Sequence, residues 1–470
     1  MAGEAGRRSK RGPVLFAVVV SNCLVALDTT IVASAMPSIV ASLGGYAHFP
    51  WVFSMYLLTQ AVTVPIYGKL ADEFGRKPVM LFGIAVFLLG SLARGLAWSM
   101  GSLIAFRAVQ GLGAGAVQPI AATIPGDLYS VIERAKAQAW IAGGWAMAAV
   151  TGSATGGLIG EHLGWRLIFL ANIPACLVTA ATLTRYFDEP PITGRPRFDY
   201  PGAVLLSVCC GLFMLVVLPN SSAEQWWSPR SLLLLAGAVL GAVALVMVEK
   251  RALRPILPLW IWRHRLLVVS TGLAGTAGGI LIVIITYVPV YTHQVLHSGA
   301  FLSGVILALF MFGWPLGASV SGRIYVRFGF RNCELTGAVI IVCGAALFAT
   351  LGGSSGLGTV GAACFVTGFG LGLITSPLIV AAQSSVTWQR RGAVTAVNTF
   401  SRAIGSSFAG AVFGAILTAG LNSARDGAGP AISAATHHIF YGLFGLAVLT
   451  AVGVVALPPD HRWRSAPVAA

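Results

Sequence analysis

The chain has 470 residues, of which 56% are hydrophobic and only 10% charged, and its formal net charge is +15. Soluble proteins average roughly 25% charged residues, and a soluble globule of this length could not cover its surface with so few. The positive balance does not describe a nucleic-acid-binding face either, because it is dispersed over short loops between apolar runs.

Those runs are each about 20 residues long, enough for a helix to cross a bilayer. In chain order they predict fourteen spans: 14–36, 50–67, 79–98, 102–125, 138–160, 166–184, 202–219, 231–248, 267–291, 301–321, 334–351, 357–380, 394–419 and 438–457. Arg7, Arg8, Lys10 and Arg11 precede the first run, and "ASA" at 33–35 has the form of a signal-peptidase site. Later segments also insert and the first run extends past Asp28, so a retained first helix is the better reading.

Lys and Arg then fix the orientation. Nearly all of the 30 fall in the N-terminus, the C-terminus and every second loop. Arg166, Arg230 and Arg425 alone fall on the opposite side, and Arg94, Arg107 and Arg402 fall within spans. This bias puts both termini in the cytoplasm. The seven cysteines lie in or beside spans without paired extracellular spacing or a metal-like cluster, and read as small packing residues.

The two ends of the chain resemble each other. "GKLADEFGRK" at 68–77 and "GRIYVRFGFR" at 322–331 share a glycine, a basic residue, a phenylalanine and a second glycine, 254 positions apart. "GLGAG" at 111–115 and "GFGLG" at 368–372 repeat at 257. Two related six-helix halves are implied, spans 1–6 and 9–14, with a helix pair inserted between them. The expected divisions are 1–190, 191–262 for linkers and the inserted pair, and 263–470. Parallel repeats of this kind place a substrate site near the bilayer midplane.

The loop after span 2 carries Gly68, Asp72, Gly75, Arg76 and Lys77. Its glycines permit a tight turn, and Asp72 can pair with Arg76 or face a helix N-terminus. Span 4 opens with Arg107, Gln110, Gly111, Gly113 and Gly115. Span 5 holds "GSATGGLIG", in which Gly152, Gly156 and Gly160 form a small-residue stripe suited to close helix packing. "WRLIFLANIP" at 165–174 and "RRGAV" at 390–394 complete the set.

Together these residues resemble the major facilitator superfamily, in its fourteen-helix drug:proton antiporter branch. The resemblance implies an all-α polytopic fold of two six-helix bundles plus an inserted helix pair. It implies that the loop of Gly68, Asp72, Gly75, Arg76 and Lys77, joined by Asp127, helps switch between inward- and outward-open states. Gly152, Gly156, Gly157 and Gly160 match the branch's antiporter motif, except that Ser153 stands where proline is usual. The implied activity is proton-coupled efflux of amphiphilic small molecules from a cell membrane, here a bacterial inner membrane, by a monomer without a cofactor. Export or flipping of lipid-like metabolites is the alternative on the same scaffold, and an uptake symporter a weaker one.

Asp28 is the one acid well inside a predicted span, and such residues are usually functional. It lies about 8 residues, or roughly 12 Å, from the outer end of its helix. Arg107 and Tyr56 lie at similar depth, so Asp28 and Arg107 are the candidate proton-coupling pair. Ser21, Asp28 and Ala35 recur every seven residues as a possible cavity face. Tyr56, Trp140, Trp145, Tyr287, Tyr291 and Arg402 are candidate cavity-lining residues. "GGSSG" at 352–356 matches a hydrolase nucleophile pattern but lies in a short loop with no strand before it. No phosphate-binding G-x-x-x-x-G-K-[ST] occurs, so neither hydrolase nor nucleotide-driven chemistry is expected.

Overall fold

The computed structural model describes residues 10–44, 50–159, 164–189, 199–217, 228–251, 256, 259–298, 300–352, 355–422 and 428–459. Each apolar run forms a helix, since a chain in lipid must satisfy its backbone polar groups internally. The long helices are α1 (Arg11–Leu43), α2 (Pro50–Phe74), α3 (Arg76–Gly95), α4 (Met100–Leu128), α5 (Val131–Ile159) and α6, in two pieces (Arg166–Leu170 and Asn172–Tyr186). They continue with α7 (Tyr200–Val217), α8 (Pro229–Glu249), α9 (Arg265–Gln294), α10 (Ala300–Phe328) and α11 (Phe330–Ala349). The last three are α12 (Leu357–Ser384), α13 (Arg391–Asn422) and α14 (Ala428–Val455). No strand occurs among the described residues. Among them, eleven helical segments are long and apolar enough to cross a membrane.

The chain packs as two compact units. The first comprises 1–207, 248–258 and 387–397, and the second 208–247, 259–386 and 398–470. This division follows contacts rather than the linkers read from sequence: most of the inserted pair falls in the second unit, and the start of α13 falls in the first. The α8 helix is largely exposed, with Leu233, Leu240 and Met247 on its outer face, as suits contact with lipid.

Within the first unit, α4 lies against α2 and α3, and α1 against α5 and α6. Glycines set the approach of α4. A Cβ on Gly111 would fall 2.5 Å from the Tyr56 carbonyl oxygen, and one on Gly113 would fall 2.3 Å from the Phe87 nitrogen. In the second unit α12 lies in the same way against α10 and α11. There a Cβ on Gly368 would meet the Phe310 oxygen at 2.3 Å, and one on Gly370 the Ile341 nitrogen at 2.9 Å. The spacing of 257 therefore relates equivalent backbone contacts. Gly75 and Gly329, 254 apart, both immediately precede helices of 20 residues with φ of 99° and 91°, values that only glycine adopts without strain at these ψ angles.

The repeat is geometric but not chemical. At the same offsets, Ser91, Arg94, Arg107 and Gln110 of the first unit correspond to Ala345, Phe348, Cys364 and Thr367 of the second, all buried. Arg76 corresponds to Phe330, which stacks on Tyr325 with ring centroids 4.4 Å apart.

Candidate functional site

The first unit contains two buried charge clusters. The deeper one is built on Asp28, whose side chain is fully buried in α1. Its Oδ1 accepts from Arg94 Nη2 at 2.6 Å, Gln110 Nε2 at 3.0 Å and Asn172 Nδ2 at 3.2 Å. Its Oδ2 accepts from Arg107 Nη1. Three helices, α3, α4 and α6, thus converge on one carboxylate of α1, whose acceptor positions number about four. Ser91 joins them: its Oγ accepts from Asn172 at 3.0 Å and donates to the Phe169 carbonyl at 2.8 Å.

Aromatic rings cover the two guanidiniums. Arg107 lies 4.7 Å from the Tyr56 ring centroid and Arg94 4.1 Å from that of Phe169. Cation–π contacts strengthen when desolvated, and both arginines are fully buried. Two cations face one anion, so the cluster carries an excess positive charge. Ser21 and Ala35, which share the seven-residue stripe with Asp28, are buried inside the unit, so the stripe is a packing face.

The second cluster lies where α2 ends, α3 begins and α4 ends, with the first turn of α13. Arg76 is fully buried at its centre. Its Nε lies 2.8 Å from Asp127 Oδ2, Nη2 3.5 Å from Asp72 Oδ1, and Nη1 3.5 Å from Glu189 Oε1. Nη2 also donates to the Trp388 carbonyl at 2.9 Å, and the guanidinium lies 4.1 Å from the Trp388 ring centroid.

Two carboxylates in this cluster cap helices. Glu189 accepts from the backbone N–H groups of Arg76 at 2.9 Å and Lys77 at 3.1 Å, at the start of α3. Asp72 accepts from those of Gly392 at 3.0 Å and Ala393 at 2.7 Å, in the first turn of α13. Negative charge at a helix start satisfies orphan donors and complements the dipole. A Cβ on Gly68 would fall 2.1 Å from that of Ala396, so glycine permits the approach of α2 to α13. Arg391 adds a 2.6 Å bond to the Gly126 carbonyl and lies 3.5 Å from Asp127. Lys77 Nζ turns away to the carbonyls of Thr184 and Phe187, at 2.9 and 2.7 Å. On the exposed surface nearby, Glu133 accepts from Ser130 N and Oγ at 3.0 and 2.9 Å. These bonds hold its carboxyl below the usual range.

The other candidates are placed as follows. Gly152 packs against α1, where a Cβ would meet Thr30 Oγ1 at 2.3 Å. Gly156 and Gly157 lie in α5, and Gly160 lies outside the described residues. Trp145 is partly buried and Trp140 is 60% exposed, both on α5. Tyr287 and Tyr291 are packed in the second unit, donating to the Gly410 and Gly352 carbonyls at 3.4 and 2.7 Å, so they serve as core residues there. Arg402 is half-buried in α13.

Sequence reasoning did not assemble Arg94, Ser91 and Asn172 with Asp28, nor Glu189 and Trp388 with Arg76. Arg94 did carry a signal, a charge inside a span. Asn172 stood in the "WRLIFLANIP" stretch, where its polarity within an apolar run was the clue.

Comparison with known proteins accords with this architecture. The chain is 31% identical over 407 residues to multidrug resistance protein 3 of Bacillus subtilis, covering 86% of this chain and 79% of that protein. It is also 31% identical over 426 residues to the tetracenomycin C resistance and export protein of Streptomyces glaucescens, covering 88% and 77%. Its fold is similar to the crystal structure of the human organic anion transporter MFSD10 (TM-score 0.65, 16% identity, 94% of this chain and 99% of that one). The sequence model of the Major Facilitator Superfamily matches residues 18–410, and the chain belongs to that superfamily of membrane transporters.

Proposed function

We propose that the protein is a proton-driven efflux transporter of amphiphilic small molecules, working by alternating access in a bacterial inner membrane with both termini cytoplasmic. The observation that carries this reading is the Asp28 cluster. A carboxylate buried among membrane-spanning helices and held by two arginines is costly to keep and belongs with a function.

In the state described, Asp28 is held as an anion by four donors. A proton reaches it only after an arginine withdraws, which requires the helices bearing Arg94 or Arg107 to shift. Protonation is thereby tied to a change of state, which is what coupling needs. The Arg76 cluster supports the same reading. It joins the inner ends of α2, α3 and α4 to the start of α13 through several partners, a set that must part when the inner side opens. The relatives named for multidrug resistance and for tetracenomycin C export support export over uptake.

The test is proton flux from liposomes holding the purified protein, with drugs and lipids added in turn. Substrate-induced proton release is expected for amphiphilic drugs. Asp28→Asn keeps the side-chain shape but not its titration, and is expected to abolish uphill export. Full export by that variant in energised vesicles would falsify Asp28 as the coupling site, and release by lipids alone would favour lipid export.

A further inference from the structure

Among the described residues Arg402 is a charge without a partner. It lies 11 residues into α13, about 16 Å along the helix axis, in a hydrocarbon layer about 30 Å thick. Among the described residues it makes no hydrogen bond, ion pair or ring contact. The acids of the second unit are Glu224, Glu334, Asp426 and Asp460. Glu334 stands near the start of α11 and the others lie outside the described residues, so no membrane helix of this unit offers a carboxylate at that depth. A guanidinium cannot shed its proton to escape the cost.

Its position is nevertheless fixed. A Cβ on Gly278 of α9 would fall 2.1 Å from the Arg402 carbonyl oxygen. On either side Ser401 Oγ donates to Thr271 O at 2.7 Å and Ser406 Oγ to Gly278 O at 2.8 Å. By helix periodicity Arg402 shares a face with Asn398, Ala409 and Phe413, all buried, while the exposed Phe408 lies on another. The side chain therefore leaves α13 on its protein-facing side, from a backbone clamped by α9.

The opposite charge in the first unit is already taken. Both Asp28 oxygens are occupied by four donors, so a cationic substrate finds no free carboxylate there. We propose that Arg402 binds the anionic group of the exported molecule, and that the preferred substrates are amphiphiles bearing a carboxylate, sulfonate or phenolate. This deepens the efflux reading and rests on it.

The test separates binding from transport. Purified protein in lipid-free detergent is titrated with dansylaminoundecanoate, its methyl ester and a trimethylammonium analogue of equal length. The carboxylate is expected to bind at least about 10-fold more tightly than the cation. Arg402→Gln should weaken the carboxylate about 10-fold or more and leave the ester unchanged, while Arg402→Lys, checked with it for monodispersity, should retain most of the preference. Equal carboxylate affinity in Arg402→Gln and wild type, or a preference for the cation, overturns the proposal. Uptake of the same probes into energised everted vesicles tests the efflux reading itself. Charge-selective binding lost in Arg402→Gln but without driven uptake leaves the anion site standing and sinks efflux. Driven uptake without charge selectivity does the reverse.

Discussion

Arg94 Nη2 lies 2.6 Å from Asp28 Oδ1, although the two residues sit on helices separated by a third in sequence. Arg107 reaches the other oxygen from α4, so the carboxylate is shared between cations that approach from different helices. Removing one member of a buried ion pair leaves an uncompensated charge, at a cost of about 3–5 kcal/mol. Asp28→Asn is therefore expected to lower the thermal midpoint in detergent, and Arg94→Gln to do so less because Arg107 remains. The double variant should be more stable than the sum of the singles predicts, with a coupling energy of about 0.5–3 kcal/mol. Strict additivity would show that the pair is energetically idle.

Gly75 joins α2 to α3 with φ 99° and ψ 152°. That region is essentially restricted to glycine, and other residues pay about 1–3 kcal/mol there. A Cβ would also lie 2.8 Å from Glu189 Oε2, displacing the cap of α3. Gly75→Ala should destabilise the first unit and reduce transport together, measured as thermal midpoint and vesicle uptake. Glu189→Gln, which keeps the space but weakens the cap, should show a smaller loss.

Asp72 accepts two backbone N–H groups of α13. Hydrogen bonds to a charged group contribute about 1.5–3 kcal/mol. In Asp72→Ala the amides of Gly392 and Ala393 should exchange with deuterium about 10-fold faster or more, while those of α3 change little. Unchanged exchange at both amides would remove Asp72 from its capping role.

The cap at the start of α5 should respond to acid. The Glu133 carboxyl is held below its usual range by Ser130, so the folded-state value lies under the unfolded one. The contribution is complete above the unfolded value and is lost as pH falls through the folded value. Amide exchange at Ser130, corrected for its intrinsic rate, should rise in that acid window and lose this dependence in Glu133→Gln. The same acid dependence persisting in Glu133→Gln would assign it to another group.

The spans, their order and the repeat were legible in the sequence because apolar run length and glycine spacing are local properties. The Arg76 cluster was half legible. Gly68, Asp72, Gly75, Arg76 and Lys77 lie within ten residues, and their geometry follows from one turn. Glu189 and Trp388 come from 113 and 312 residues away, and no local pattern marks them as partners of Arg76. Glu189 stands at the very end of the first half, directly before Pro190 and Pro191, where the sequence marks a connection rather than a site. Likewise Asp28 stood out as a lone buried acid, but Arg94 could be joined to it only by helix packing. Trp140 shows the opposite limit: an aromatic residue in a span carries no sequence mark of which way its helix turns, and this one is exposed where Trp145 on the same helix is partly buried.

The one-sided chemistry of the repeat bears on how the protein is made. Asp28 enters the membrane with the first helix, whereas Arg94 and Arg107 arrive with the third and fourth. A lone charge at a helix centre costs about 2.5–3.5 kcal/mol on insertion, and Asp28 meets no countercharge until those later helices emerge. The corresponding helices of the second unit carry Phe348 and Cys364 at the equivalent places and have no such wait. Helix α1 thus depends on α3 and α4 for its countercharge, whereas α9, which carries no acid, does not depend on α11 and α12 in that way. Truncation after α2, before either arginine has emerged, should therefore leave a nascent chain that quality-control proteases remove, where truncation within the second unit leaves a settled N-terminal bundle.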